Sequence, residues 1–199
     1  GGVQMRVSLC LTLAAWPVAG LADCPPQGQM PSRILYADGR VEENPLISND
    51  VFEVTSTDAE GTVTIYSAKY GIFFENLISG DTAMMWTWTT PERVPVTELP
   101  VEQEQVYMAD IESVGDGQKL EVRYSYTSHG PETLSVGDCD VQVILLDERQ
   151  EFFDGSGSIV SQLWIDPERM LILKTERDKL DASGTIIGHK EAMATGFEM

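Results

Sequence analysis

The stretch Ser158–Ile187, SIVSQLWIDPERMLILKTERDKLDASGTII, reads as three antiparallel strands in succession. Its first run, Ile159 to Ile165, ends at Asp166-Pro167-Glu168-Arg169, where proline presets φ for a tight turn and removes a ladder donor. Met170 to Glu176 returns as the second strand. Asp178 to Gly184 then supplies turn chemistry for a third crossing, since aspartate bonds its own backbone and glycine adopts positive φ without steric cost.

Working outward, the same grammar repeats. Asp38-Gly39 is a hairpin dipeptide between Ser32–Ala37 and Arg40–Glu43, and Asp58 to Gly61 separates Val51–Ser56 from Thr62–Ser67. Leu120, Val122, Tyr124 and Tyr126 alternate with Glu121, Arg123 and Ser125, the pattern of a half-buried strand. Glu98 to Val114 partly fits a helical face, but that neighbour favours a strand over Gln105–Ser113. Gly130-Pro131 ends the Leu120 strand, and Thr133–Val136 and Asp140–Leu146 follow. Pro91, Pro95 and Pro100 punctuate a linker-like crossing, the best candidate for a hinge between two halves of the sheet. The expected fold is mainly β with little helix: one strongly curved antiparallel sheet of about ten strands, mostly a meander, forming an open or half barrel.

The N-terminal residues read as targeting. Met5-Arg6, the apolar run Val7 to Val18 and the small-residue region Gly20-Leu21-Ala22 have the layout of a secretory signal peptide cleaved after Ala22. No apolar run approaches the roughly 20 residues of a membrane-spanning helix. Residues 1–22 are thus a signal and residues 23–199 a single antiparallel β domain in the periplasm. A lipid anchor on Cys24 is the minor alternative, opposed by Asp23 before it. Cys10 leaves with the signal, so Cys24 and Cys139 remain as an even pair. In an exported chain a disulfide is the default reading, with two free thiols the alternative.

Acidic residues outnumber basic ones 32 to 13 and the formal net charge is −19, which excludes nucleic acid and anionic membrane surfaces as partners. No cofactor is implied. His129, placed in a turn before Gly130, and His189 lie in no metal-ligand spacing, and no calcium loop is present. Ser156 lacks a nucleophile frame, and pairs such as Asp138 with Asp140 or Asp178 with Asp181 are expected by chance in so acidic a chain. The reading is a non-catalytic protein.

One aromatic stretch stands apart. Tyr70 to Gly80 holds Phe73 and Phe74, and Asp81 to Thr89 puts Met84, Trp86 and Trp88 on one face and Thr87 and Thr89 on the other. Phe73, Phe74, Met84, Trp86 and Trp88 are candidates to line an apolar ligand site on the concave side, or equally to fill a core.

The segment Glu132–Arg149 (ETLSVGDCDVQVILLDER), Leu163-Trp164-Ile165-Asp166-Pro167-Glu168, and Leu173-Lys174-Thr175-Glu176 with Asp181–Gly184 resembles the C-terminal half of uncharacterised exported bacterial proteins. Those are similar to the lipoprotein-carrier (LolA/LolB-like) superfamily of open β-barrels. The resemblance implies an unclosed barrel wrapped around an apolar cavity and a carrier role for a lipid-like ligand. The carriers proper add an N-terminal helix and capping helices, neither of which is plain in this sequence. The other function class is a structural or interaction protein of the cell envelope, with a filled core and a partner protein on its surface.

Overall fold

The computed structural model describes residues 24–90 and 92–199; the expected signal segment, with Cys10 and the cleavage site after Ala22, lies outside the described residues. Strands β1 (Arg33–Tyr36), β2 (Val41–Ser48), β3 (Val51–Thr57), β4 (Val63–Lys69), β5 (Phe73–Ser79) and β6 (Thr82–Trp88) form three hairpins in series. They are followed by β7 (Glu104–Ser113), β8 (Lys119–Val136), β9 (Cys139–Phe152), β10 (Gly157–Asp166), β11 (Leu171–Leu180) and β12 (Ile186–Glu198). Turn chemistry sets the hairpins. Gly39 takes φ 84° after Asp38, whose Oδ1 accepts the Arg40 amide. Asp58 Oδ1 accepts the amides of Glu60 and Thr62 at 3.0 and 2.8 Å.

Every strand pairs antiparallel with its chain neighbour, and β1 also pairs with β12, so the sheet is a closed barrel of twelve strands. This corrects the expected open sheet of about ten strands. Closure is made by Ile34, opposite Glu42 on one side and Phe197 on the other. It gives the edges of β1 and β12 hydrogen-bond partners that an open sheet would leave exposed.

Two other expectations are corrected. Gly130-Pro131 does not end a strand, because β8 runs through it. A bulge at Ser128/Gly130 with Gly130 at φ 87° absorbs the irregularity, and Pro131 sits opposite Ile144 where its missing donor is tolerated. The proline-marked crossing is no hinge between half-sheets either. β6 pairs directly with β7, Trp88 opposite Ala109, and the crossing turns back under the barrel. Its buried Val96 and Leu99 pack with Ile72 and Phe73, and Val101 bridges to Ser128.

Strand direction assigns the ends. The N-terminal segment, this crossing and the turns β8–β9 and β10–β11 share one end, which is closed. The six hairpin turns β1–β2, β3–β4, β5–β6, β7–β8, β9–β10 and β11–β12 surround the other. At the closed end Cys24 is bonded to Cys139, with Cα atoms 5.5 Å apart, as expected for an exported chain. A Cys24 sulfur in a disulfide has no valence left for a lipid thioether. Beside it Arg169 donates to Asp166 Oδ2 at 2.6 Å and to the carbonyls of Gln29 and Pro26 at 2.8 and 2.9 Å, tying the N-terminal segment to the β10–β11 turn.

Candidate functional site

The inward face of the barrel follows from register. Ser56, Thr64 and Ser79 lie opposite one another across β3–β4–β5, and Tyr66, Leu77 and Met84 across β4–β5–β6. Further round, Tyr126, Glu148, Ser161, Arg177 and Lys190 form one cross-strand row from β8 to β12.

The candidate lining residues converge on this face. Met84, Trp86 and Trp88 point inward and Thr87 and Thr89 are exposed, as alternation requires. Phe73 is fully buried at the closed end, edge-on to Trp88, Tyr107 and Tyr126 with centroids 5.1, 4.8 and 5.6 Å away. Phe74 sits higher, its ring 5.6 Å from Trp86 and 5.7 Å from Tyr66. Each indole has an acceptor: Trp86 Nε1 donates to Tyr124 Oη at 2.8 Å and Trp88 Nε1 to the Phe74 carbonyl at 2.7 Å. The lumen is therefore packed with rings toward the closed end.

Above the rings lies a polar belt that the sequence reading missed. Glu42, 1% exposed, accepts from Tyr36 Oη, Tyr66 Oη and Arg40 Nη1, each at 3.0 Å. Burial lifts its carboxyl above the ordinary value, against the pull of Arg40 and the two phenols. Burial and then the Glu42 charge push both phenols well up, so they stay protonated donors. The only sequence trace of this belt is that Glu42 falls on the same face as Ile34, opposite it in the β1–β2 hairpin. Because the folded value is raised, the Glu42 contribution to stability is full below the ordinary carboxyl value near 4.3 and is lost as pH climbs through the raised one. The stability of wild type relative to Glu42→Gln, which cannot ionise, should therefore fall as pH rises through that window. Urea unfolding across the pH series checks this; a flat or rising difference would contradict the assignment.

The open end leads inward. A cleft of about 290 Å³ has Tyr66, Phe74, Leu77 and Ile172 on its apolar side and Arg40, Glu42, Thr64 and Arg177 on its polar side. It shares Arg40, Asp58, Thr175 and Arg177 with a wider mouth of about 530 Å³ that also reaches Lys190 and Ala192. A depression of about 350 Å³ borders Asp147, Gln162, Glu176 and Asp178, which point to the outer wall, and it has no comparable aromatic floor.

His129 is not an exposed turn residue. It lies in β8 on the outer wall, with Nδ1 2.8 Å from Glu102 Oε1 and Nε2 2.8 Å from Asp147 Oδ2. The hydrogen bond to Asp147, then that to Glu102, holds the imidazolium above its ordinary value. Both ring nitrogens face acceptors, so the clamp needs the charged ring, and it fastens the crossing to β9. Its contribution, under about 1 kcal/mol for so accessible a pair, is present below about pH 6.5 and lost as pH rises through the raised value. His129→Gln should accordingly cost stability at pH 5.5 and nothing measurable at pH 9. Equal costs at the two pH values would refute the clamp. His189, in β12, meets Asp178 on the outer wall at 2.7 Å.

No family model matches the chain. No curated protein matches it. Among solved structures, the hypothetical lipoprotein YmcC from Escherichia coli K12 is similar in fold, with a TM-score of 0.51 at 10% identity over 85% of each chain. A Bacteroides fragilis protein described as exported and YmcC-like in fold gives a TM-score of 0.46 at 11% identity, covering 85% of this chain and 97% of that one.

Proposed function

We propose that this chain is an exported, non-catalytic binding protein of carrier type, which shelters the apolar part of a lipid-like ligand in its barrel. The carrying observation is the cleft that opens among the hairpin turns and sets Phe74, Leu77 and Ile172 against Arg40, Glu42 and Arg177. One apolar wall facing a few fixed polar groups is the composition of a small-ligand site. In this reading Phe74 touches the ligand, Met84, Trp86 and Trp88 back it, and Phe73 holds the floor. The pattern-level resemblance to lipoprotein carriers supports the same reading, and the fold shared with a hypothetical lipoprotein supports an envelope location, here the periplasm.

The test uses N-phenyl-1-naphthylamine, an uncharged apolar fluorophore. Its emission should rise saturably on addition of the protein, with a matching change in tryptophan emission because the Phe74 ring lies 5.6 Å from Trp86. Phe74→Ser should abolish the change while leaving a cooperative melt, and Trp86→Phe should remove the tryptophan response. A linear, non-saturating response sinks the carrier reading.

That result would leave an envelope interaction protein, which a separate observation favours. On the outer wall Ile65, Ile78 and Met85 are 42, 50 and 46% exposed, with Ile65 directly opposite Ile78 across β4–β5. Such an uncharged strip on an acidic chain has the composition of an interface core.

A further inference from the structure

The mouth of the barrel carries a charge arrangement that its own side chains leave incomplete. Arg177 and Lys190 are directly opposite each other on β11 and β12, and both border the mouth. Like charges facing across a strand pair repel. Among the described residues neither has a carboxylate oxygen within ion-pair distance, although the chain carries 32 acidic side chains. Among the described residues the Arg177 guanidinium has a single hydrogen bond, from Nε to Ser161 Oγ at 3.2 Å. Its in-chain neighbours Glu176 and Asp178 point to the other face of the sheet, as alternation demands.

Arg40 supplies a third cation bordering the same mouth. Its Nη1 is spent on Glu42, but its buried Nε has no acceptor among the described residues. A buried donor of this kind calls for a partner. Four acids also stand at the rim: Asp38, Asp58, Glu60 and Glu191. Asp38 and Asp58 are engaged by the turn amides of Arg40, Glu60 and Thr62, and of the four only Asp58 also borders the inner cleft. Arg40 and Arg177 thus reach the inner cleft, where Glu42 is held by Arg40 and Asp58 by its turn amides, while Lys190 stands at the mouth.

We propose that the mouth binds the anionic group of its ligand, carboxylate or phosphate oxygens, between Arg177, Lys190 and Arg40. The inference rests on the reading of the lumen as a lipid-like ligand site, and it names that ligand as an anionic amphiphile. Arginine forks match either oxyanion, and the apolar wall of Phe74, Leu77 and Ile172 takes the adjoining chain.

The experiment titrates the full chain with dodecanoate, dodecyl phosphate and uncharged dodecyl maltoside, all below their micelle concentrations, following tryptophan emission and binding heat. Arg177→Gln, Lys190→Gln and the charge-preserving Arg177→Lys accompany wild type, and a thermal melt checks each fold. Wild type should bind one or both anionic probes about tenfold or more tightly than the maltoside. Arg177→Gln and Lys190→Gln should each erase most of that preference, lowering affinity for the anionic probes far more than for the maltoside, and Arg177→Lys should keep part of it. Preference for dodecyl phosphate over dodecanoate, or the reverse, identifies the head group. Equal binding of all three probes, unchanged in the variants, overturns the anionic assignment and leaves the binding reading standing. Binding of none of them removes the binding reading and the assignment with it. Lys190 is exposed, so its variant remains informative even if Arg177→Gln does not fold.

Discussion

Replacing Arg169 with methionine is expected to lower folding stability by about 3–5 kcal/mol, the cost of breaking a buried ion pair by removing one partner. Arg169 and Asp166 are 8 and 2% exposed, so the carboxylate left behind would have little water to solvate it. Asp166 would keep only the amides of Glu168 and Arg169 on Oδ1, with Oδ2 abandoned. The Gln29 carbonyl would lose its donor in the same step, and the Pro26 carbonyl would keep only the Gln29 amide. In a chain of this size that deficit corresponds to a fall in Tm of roughly 10 °C. Arg169→Lys should recover only part of it, because an ammonium keeps the charge without the planar fork. Urea unfolding reads the free energy, and hydrogen exchange over residues 24–31 reads the release of the N-terminal segment. A loss below about 1 kcal/mol would mean that the carbonyls are resolvated at little cost and that the clamp does not anchor the segment.

Removing the Cys24–Cys139 bridge by replacing both cysteines with serine should cost a comparable amount. The bridge spans a sequence separation of 115, and the chain-entropy model credits a loop of that length with roughly 4–5 kcal/mol. The effect acts mainly on the unfolded chain, so the native circular dichroism should survive while the unfolding midpoint drops. Mass spectrometry of the non-reduced protein should find one cross-linked peptide and no alkylatable thiol; two free thiols in the oxidised protein would refute the bridge. The bridge and Arg169 hold the same short segment, Cys24 at one end and Gln29 near the other. Once the segment is loose the second anchor has little left to hold, so the combined variant should lose less than the two single losses added together.

Much of the fold was legible because it is written in local terms. Alternation along Leu120 to Tyr126 placed Val122, Tyr124 and Tyr126 inside, and all three are buried. The Asp38-Gly39 and Asp181 to Gly184 turns were readable since each depends on four or five adjacent residues. The same logic put Met84, Trp86 and Trp88 on one inward face. The Asp-Pro-Glu-Arg turn was legible only by half. Proline announced the reversal between β10 and β11, but nothing nearby marked Arg169 as the clamp on residues more than a hundred positions upstream.

The candidate site shows the same division. The aromatic stripe is a run within two adjacent strands, so periodicity could find it. Glu42, Tyr66, Arg177 and Lys190 come from β2, β4, β11 and β12, and their meeting exists only once β1 joins β12. His129 misled for a related reason: the glycine and proline after it suggest a turn, whereas long-range pairing with β9 carries the strand through them.

The sequence by itself determined an antiparallel β meander with Met84, Trp86 and Trp88 on one inward face, and it made a Cys24–Cys139 bridge the default reading, because side-chain period, turn residues and cysteine parity act over short range or by simple count. Only the tertiary structure decided that the sheet closes, that one end is plugged and the other open, and that the buried Glu42 carboxylate and the Arg177 guanidinium line one cleft. Those outcomes depend on which distant edges exchange hydrogen bonds, a choice made by the free energy of the whole barrel rather than by any window of residues.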